Sequence, residues 1–185
     1  MEKTSYVFLA DGFEEVEALT CVDVMRRAGM DVVTVSINPS EEVRGAHCVT
    51  VVADSLYEDN DYSNAEWLVL PGGMPGATNL AAYEALCGEL EAQVERGGRV
   101  SAICASPAVV LAPLGLLHGR RAVCYPGMEV PAEDITWVAG QPAVVDGNVV
   151  TGRGPAAAAA FALAMVEQSM GRDVADQVAA GMLLD

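Results

Sequence analysis

The sequence predicts an α/β fold: an open, mostly parallel sheet covered on both faces by helices, with a β-hairpin added. Three observations carry this. Short apolar, β-compatible runs alternate with segments of helical spacing along the whole chain, as in successive strand–helix–strand units. Trp67–Leu70 and Val100–Ile103 read as short strands buried on both faces, which parallel sheets require. Val144-Val145-Asp146-Gly147-Asn148-Val149-Val150 sets Asp-Gly between two β-branched pairs, a strong hairpin signal.

In chain order, Ser5–Ala10 is the first strand. Glu14–Arg27 follows as a helix with Val16, Leu19, Val22, Val24 and Met25 at helical spacing, and Gly29 stops it. Asp31–Ile37 is a second strand and His47–Ala53 a third, nearer a sheet edge. Trp67–Leu70 runs into Pro71-Gly72-Gly73 and then a helix near Ala81–Glu95. Val100–Ile103 is the next strand, Pro107–Leu114 the helix after it, and Arg121–Tyr125 a further strand. After the hairpin come a long helix, Ala156–Met170, and a shorter one from Arg172. No linker, repeat or low-complexity segment divides the chain, so residues 1–185 are expected to form one domain.

Composition narrows the function classes. At 185 residues, 52% of them hydrophobic, the chain can bury a sizeable core. A formal charge of −16 argues against nucleic acid or anionic lipid as partners, since both need clustered Lys and Arg. The start, Met1-Glu2-Lys3-Thr4, lacks a signal-peptide profile and no apolar run reaches membrane-spanning length, so a cytoplasmic protein is expected. The five cysteines, Cys21, Cys48, Cys87, Cys104 and Cys124, are scattered and show no CxxC pair. Reduced thiols fit this better than disulfides or zinc, and with only His47 and His118 available no metal is expected.

One cysteine stands apart. Val100-Ser101-Ala102-Ile103 runs straight into Cys104, and Ala105-Ser106-Pro107 then starts a helical pattern, with Pro107 suited to its first turn. A side chain on such a turn stands beside free N–H groups and the positive end of a helix, where a thiol becomes a thiolate. Cys104 is therefore the expected nucleophile. The alternative is a buried structural thiol, the stronger reading for the other four. Ligands in such folds sit beyond the carboxyl ends of the strands. Two other loops fall at that end: Asp11-Gly12-Phe13-Glu14-Glu15-Val16-Glu17 and Pro71-Gly72-Gly73-Met74-Pro75-Gly76. Glu14, Glu15 and Glu17 are either ordinary first-turn acids or, in the case of Glu17, a carboxyl turned inward beside Cys104 with a raised pKa. Gly72-Gly73 is either a plain tight turn or a place where backbone N–H groups approach an oxyanion.

These segments, with Val22-Asp23-Val24-Met25-Arg26-Arg27-Ala28-Gly29, Leu70-Pro71-Gly72-Gly73, Ala102-Ile103-Cys104-Ala105 and Arg153-Gly154-Pro155, resemble the DJ-1/ThiJ/PfpI superfamily, closest to its DJ-1-like branch, which includes bacterial ThiJ-type proteins. The match runs in order from about Tyr6 to the C-terminus. The resemblance implies a flavodoxin-like three-layer sandwich of the class I glutamine amidotransferase-like kind, commonly a homodimer. It implies Cys104 as the reactive cysteine, Glu17 as its protonated partner, and Gly72, Gly73 and Ala105 as the oxyanion and substrate-binding backbone. Two departures matter. Tyr125 stands where DJ-1-like proteins often carry a histidine, so it offers at most a hydrogen bond. Ala105 stands where the protease-like branch has histidine, which disfavours proteolysis.

The function expected from this is cofactor-independent glyoxalase or protein-deglycase turnover of small 2-oxoaldehydes such as methylglyoxal and glyoxal, or of their protein adducts, in protection against carbonyl and oxidative stress. The alternatives are a redox sensor acting through oxidation of Cys104, a chaperone, and, ranked last, a cysteine peptidase or amidase. The partners expected are a small carbonyl substrate or an oxidant, and a second copy of the chain. The first helix and the segment around His47 are the candidate dimer interface.

Overall fold

The computed structural model describes residues 3–131 and 134–184. Its elements are β1 (Thr4–Leu9), α1 (Glu15–Arg27), β2 (Asp31–Ser36), β3 (Glu42–Arg44), β4 (Thr50–Val52), β5 (Ser55–Leu56), β6 (Trp67–Leu70), α2 (Gly76–Ala82), α3 (Glu84–Glu95), β7 (Arg99–Ile103), β8 (Arg121–Ala122), β9 (Thr136–Trp137), β10 (Ala143–Asp146), β11 (Val149–Gly152), α4 (Ala158–Met170) and α5 (Arg172–Gly181). The main sheet has the order β10-β11-β7-β6-β1-β2-β5. Every neighbouring pair in it is parallel except β10–β11, the expected hairpin at the edge.

Strand period explains why both faces are covered. Successive side chains point to opposite faces. Val7 and Leu9 pack into one core cluster, with Trp67, Val69 and Ile103. Tyr6 and Phe8 pack into the other, with Leu68, Leu70, Val100 and Ala102. Helices α1, α4 and α5 close the first face through Cys21, Met25, Phe161 and Val178. Helix α3 closes the second through Leu86 and Leu90. Chain order reverses direction between β1 and β6, so the crevice beyond their carboxyl ends is the switch point where such folds bind ligands.

The structure differs from the sequence expectations in five places. Val16 and Leu19 are exposed, and the buried residues of α1 are Glu15, Glu17, Ala18, Cys21, Val22, Val24 and Met25. Instead of a third strand over His47–Ala53, only Thr50–Val52 is extended, and it pairs with Glu42–Arg44 outside the main sheet. The residues before it are used in a tight loop, with the Gly45 N–H on Val49 O (2.8 Å) and the Cys48 N–H on Gly45 O (3.0 Å). The expected Ala81–Glu95 helix is two helices, broken at Tyr83, whose extended backbone accompanies ring packing against Tyr57 at 5.0 Å. The expected Pro107–Leu114 helix is a single wide turn, Pro107–Leu111, with Ala112 N–H bonded to Pro107 O. Pro113 has no N–H with which to continue it. Finally, only Arg121–Ala122 of the Arg121–Tyr125 strand is ladder-paired. The Val123 N–H goes to Thr151 Oγ1 and the Tyr125 N–H to Cys104 O, so neither is free for a ladder.

Candidate active site

Three loops meet at the crevice. The turn after β7 carries Cys104, whose backbone sits at φ 64°, a left-handed conformation that a non-glycine residue adopts only under local constraint. Hydrogen bonds supply the constraint: the Cys104 N–H donates to Gly152 O (2.9 Å), and Cys104 O accepts from the Tyr125 N–H (2.8 Å). The Ser106 hydroxyl donates to Pro71 O and ties the next turn to the loop after β6. The thiol is thereby lifted off the strand line and left almost wholly buried.

The loop after β6 is wedged between the other two. The Gly72 N–H donates to Glu17 Oε2 at 2.7 Å. The Glu14 N–H donates to Gly72 O and the Gly76 N–H to Gly12 O. A Cβ on Gly72 would stand 2.6 Å from Cys104 Cβ and 2.7 Å from Glu17 Oε2. A Cβ on Gly73, at φ +87°, would stand 2.4 Å from Glu14 N. Glycine is required at both positions, so the plain-turn reading of this pair understates it.

Glu17 faces inward because it lies one helical turn before Cys21 on the buried stripe of α1. Burial pushes its carboxyl up to about 7, against the lowering influence of the Cys104 thiol and the Gly72 N–H. Its second oxygen, Oε1, is buried and has no well-formed hydrogen bond among the described residues. A carboxylate oxygen in that position is costly, and a proton on it removes the cost. The Cys104 thiol is pushed up to about 12, by burial first and then by the Glu17 carboxylate, against the lowering N–H groups of Gly73 and Ala105. The thiolate expected from a helix N-terminus is corrected accordingly. Five residues of wide turn do not supply the dipole of an α-helix, and burial beside a carboxylate outweighs two N–H groups. When Glu17 is protonated, both raising influences that come from its charge vanish. Near neutral pH the thiol therefore keeps its proton while the Glu17 carboxyl gains and loses one, and the charge on Glu17 sets how readily the thiol ionises.

The remaining residues fall as follows. Gly72, Gly73 and Ala105 are brought together with Cys104 and Glu17. Tyr125 is joined to Cys104 through the backbone, while its half-exposed ring lies against Gly154. No histidine bears on the Cys104 thiol among the described residues. His47 is bound by Glu15, through Nδ1 at 2.9 Å and its N–H at 2.8 Å, and His118 faces Asp134. Glu14, Glu15 and His47 bring potential metal-ligating atoms within 4.8 Å of one another, but both Glu15 oxygens are already taken up in holding the 45–49 loop. Cys21, Cys87 and Cys124 are pushed up by burial, and Cys48 is exposed on that loop. One contributor has no role legible in the sequence: Gly152, whose carbonyl fixes the Cys104 turn. The Arg153-Gly154-Pro155 run was the available signal.

A parallel α/β sheet with a strained cysteine on the turn after β7 and a buried carboxyl at its side defines a class: flavodoxin-like proteins with a cysteine–glutamate site at the switch point. The chain belongs to the DJ-1/PfpI family, whose model matches residues 3–168. Protein DJ-1 homolog B of Arabidopsis thaliana is 39% identical over 176 residues, 95% of this chain but 40% of that protein, so the chain spans under half the length of that relative. Protein dj-1beta of Drosophila melanogaster is 36% identical over 186 residues, covering 100% of this chain and 98% of that one. The glutathione-independent glyoxalase DJR-1.2 of Caenorhabditis elegans is 30% identical over 167 residues, 90% of this chain and 88% of that protein. The structure of oxidized Toxoplasma gondii DJ-1 superimposes with a TM-score of 0.91 at 37% identity, covering 98% of each chain. Among the described residues no helix is long and apolar enough to cross a membrane.

Proposed function

We propose that the protein is a cofactor-independent glyoxalase-type enzyme that converts small 2-oxoaldehydes to 2-hydroxy acids, with Cys104 as nucleophile and Glu17 as acid and base. The observation that carries this reading is the buried Cys104–Glu17 pair, whose carboxyl is brought up to about 7. The name of the Caenorhabditis elegans relative supports the same activity.

Cys104 sulfur bonds to the aldehyde carbon as its proton passes to Glu17, and the hemithioacetal oxygen takes up a proton. Glu17 carboxylate then removes the hydrogen on that carbon, giving an enediol, and returns a proton to the neighbouring ketone carbon. The product is a 2-hydroxyacyl thioester on Cys104. Water cleaves it, releasing the 2-hydroxy acid and restoring the thiol. The net change is addition of one water, with no external oxidant or reductant. The N–H groups of Gly73 and Ala105 stabilise the oxyanions of the first and last steps.

The test is methylglyoxal turnover to lactate by the wild type, Cys104→Ala and Glu17→Gln, with folding checked by circular dichroism. Loss of about a hundredfold or more in both variants is expected, from the usual size of nucleophile and acid–base contributions. Full activity in either folded variant removes the reading.

A second reading is favoured by one observation, the oxidized state named for the Toxoplasma gondii structure. Peroxide would convert Cys104 to the sulfenic and then the sulfinic acid, with the Glu17 carboxyl hydrogen-bonded to an added oxygen. Intact mass after graded peroxide separates the two. Selective gain of two oxygens at Cys104 without methylglyoxal turnover favours a sensor over an enzyme. Deglycation of protein adducts follows from the same chemistry. Proteolysis does not, because no histidine serves the thiol. We also propose a cytoplasmic homodimer built on the exposed face of α1.

A further inference from the structure

Directly beside the Cys104 turn lies a cleft of about 570 Å³, lined by Tyr125, Pro126, Pro142, Arg153, Gly154 and Pro155 and by the turn that leads into α4. Both of its walls are anchored to the reactive cysteine. Gly152, whose carbonyl accepts the Cys104 N–H at 2.9 Å, is followed at once by Arg153. Tyr125 donates its own N–H to Cys104 O at 2.8 Å. Two of the cleft's lining residues, Tyr125 and Arg153, are thus tied to the backbone of the Cys104 turn, directly and through Gly152. It is far larger than a three-carbon 2-oxoaldehyde requires, and lies within the range of pockets that take larger metabolites.

Its chemistry is specific. The floor is proline and alanine, and two polar side chains stand over it without partners. Arg153 is exposed and makes no side-chain hydrogen bond or ion pair among the described residues; the same holds for Arg44 and Arg121, neither of which lines the cleft, while Arg26, Arg27, Arg96, Arg99, Arg120 and Arg172 each reach a carboxylate. The Tyr125 hydroxyl likewise has no hydrogen-bond partner among the described residues, and its ring lies close against Gly154. In a chain of 26 acidic against 10 basic residues, a free guanidinium is a local attractor for an anion that the rest of the surface repels. A planar guanidinium fits a carboxylate through two parallel hydrogen bonds.

We propose that this cleft is the specificity pocket of the Cys104 site, in which Arg153 and Tyr125 hold a carboxylate at the far end of the substrate, and that the preferred substrates are 2-oxoaldehydes bearing such a carboxylate. The substrate class rests on the glyoxalase-type reading above; the anion site rests on the cleft alone. The reaction stays balanced as written, with the remote carboxylate unchanged from substrate to product.

The experiment compares 4,5-dioxopentanoate with 2-oxopentanal, a neutral aldehyde of the same chain length, on the wild type, Arg153→Gln and Arg153→Lys. The wild type is expected to favour the anionic substrate by about tenfold or more in kcat/KM, the scale of one charged hydrogen-bonded contact. Arg153→Gln brings that ratio close to one, and Arg153→Lys keeps part of it. A wild-type ratio near one, or the same ratio in Arg153→Gln as in the wild type, overturns the proposal. Calorimetry with 2-hydroxyglutarate on Cys104→Ala, with and without Arg153→Gln, gives a readout free of turnover. If the wild type turns over neither aldehyde, the glyoxalase-type reading fails and calorimetry decides the anion site. Binding lost with Arg153 supports it, and absence of binding, or binding indifferent to Arg153, overturns it.

Discussion

The backbone N–H of Gly72 donates to Glu17 Oε2 at 2.7 Å, so a loop glycine holds the carboxyl that stands beside Cys104. The same glycine has no room for a methyl group: its Cβ would meet Cys104 Cβ at 2.6 Å, Glu17 Oε2 at 2.7 Å and Ile103 O at 2.9 Å. Two of these three atoms belong to the Cys104 turn and its strand, which cannot give way without moving the sulfur. Gly72→Ala is expected to cost about 1–3 kcal/mol of stability, as overpacking does. It should also lower methylglyoxal turnover by about a hundredfold, the scale of a displaced catalytic group. Denaturation and kinetics on the one variant check both.

Glu17 makes stability depend on pH in an unusual direction. Its carboxyl is raised from 4.5 to about 7 by burial, so the folded state holds the proton more tightly than the unfolded chain does. That contribution is fully present below about pH 4.5 and is lost as pH rises through about 7. The loss amounts to about 3 kcal/mol, from 1.36 kcal/mol for each pKa unit. Glu17→Gln cannot ionise and escapes it. Urea unfolding at pH 5 and pH 8 should show Glu17→Gln gaining on the wild type by about that amount at the higher pH. An equal difference at both pH values contradicts the burial account.

The exposed side of α1 carries Val16 and Leu19, at 51% and 40% exposure, three positions apart and on one helical face. Val49, at the end of the loop held by Glu15, is also exposed. Sedimentation should give a dimer for the wild type and a monomer for Val16→Glu combined with Leu19→Glu. A wild-type monomer, or a dimer that survives both changes, removes this face as the interface.

Much of this architecture was legible in the sequence because strands buried on both faces must be apolar throughout, as Trp67–Leu70 is, and because Asp146-Gly147 dictates a hairpin. Cys104 and Glu17 were legible for a different reason. A cysteine between a buried strand and a proline-started turn leaves few other conformations, and Glu17 leads directly into the apolar positions of the first helix. What stayed hidden depends on tertiary hydrogen bonds. Nothing in Val123-Cys124-Tyr125 says that its N–H groups go to Thr151 and Cys104 instead of to a neighbouring strand. Val16 and Leu19 look like core by spacing, and only packing shows that the buried stripe runs through Glu17, Ala18 and Cys21 instead. The raised thiol depends on a short wide turn in place of the expected helix and on burial, and neither is visible in the local sequence.

The most direct test of the coupling between Cys104 and Glu17 is the pH dependence of Cys104 alkylation by iodoacetamide, followed by mass spectrometry in the wild type and Glu17→Gln. With Glu17 ionised, its charge adds to burial in holding the thiol well above its ordinary value. Removing that charge should move the apparent thiol pKa down, even as methylglyoxal turnover is lost with the proton acceptor. A thiol pKa in Glu17→Gln that is unchanged or higher than in the wild type would contradict the account.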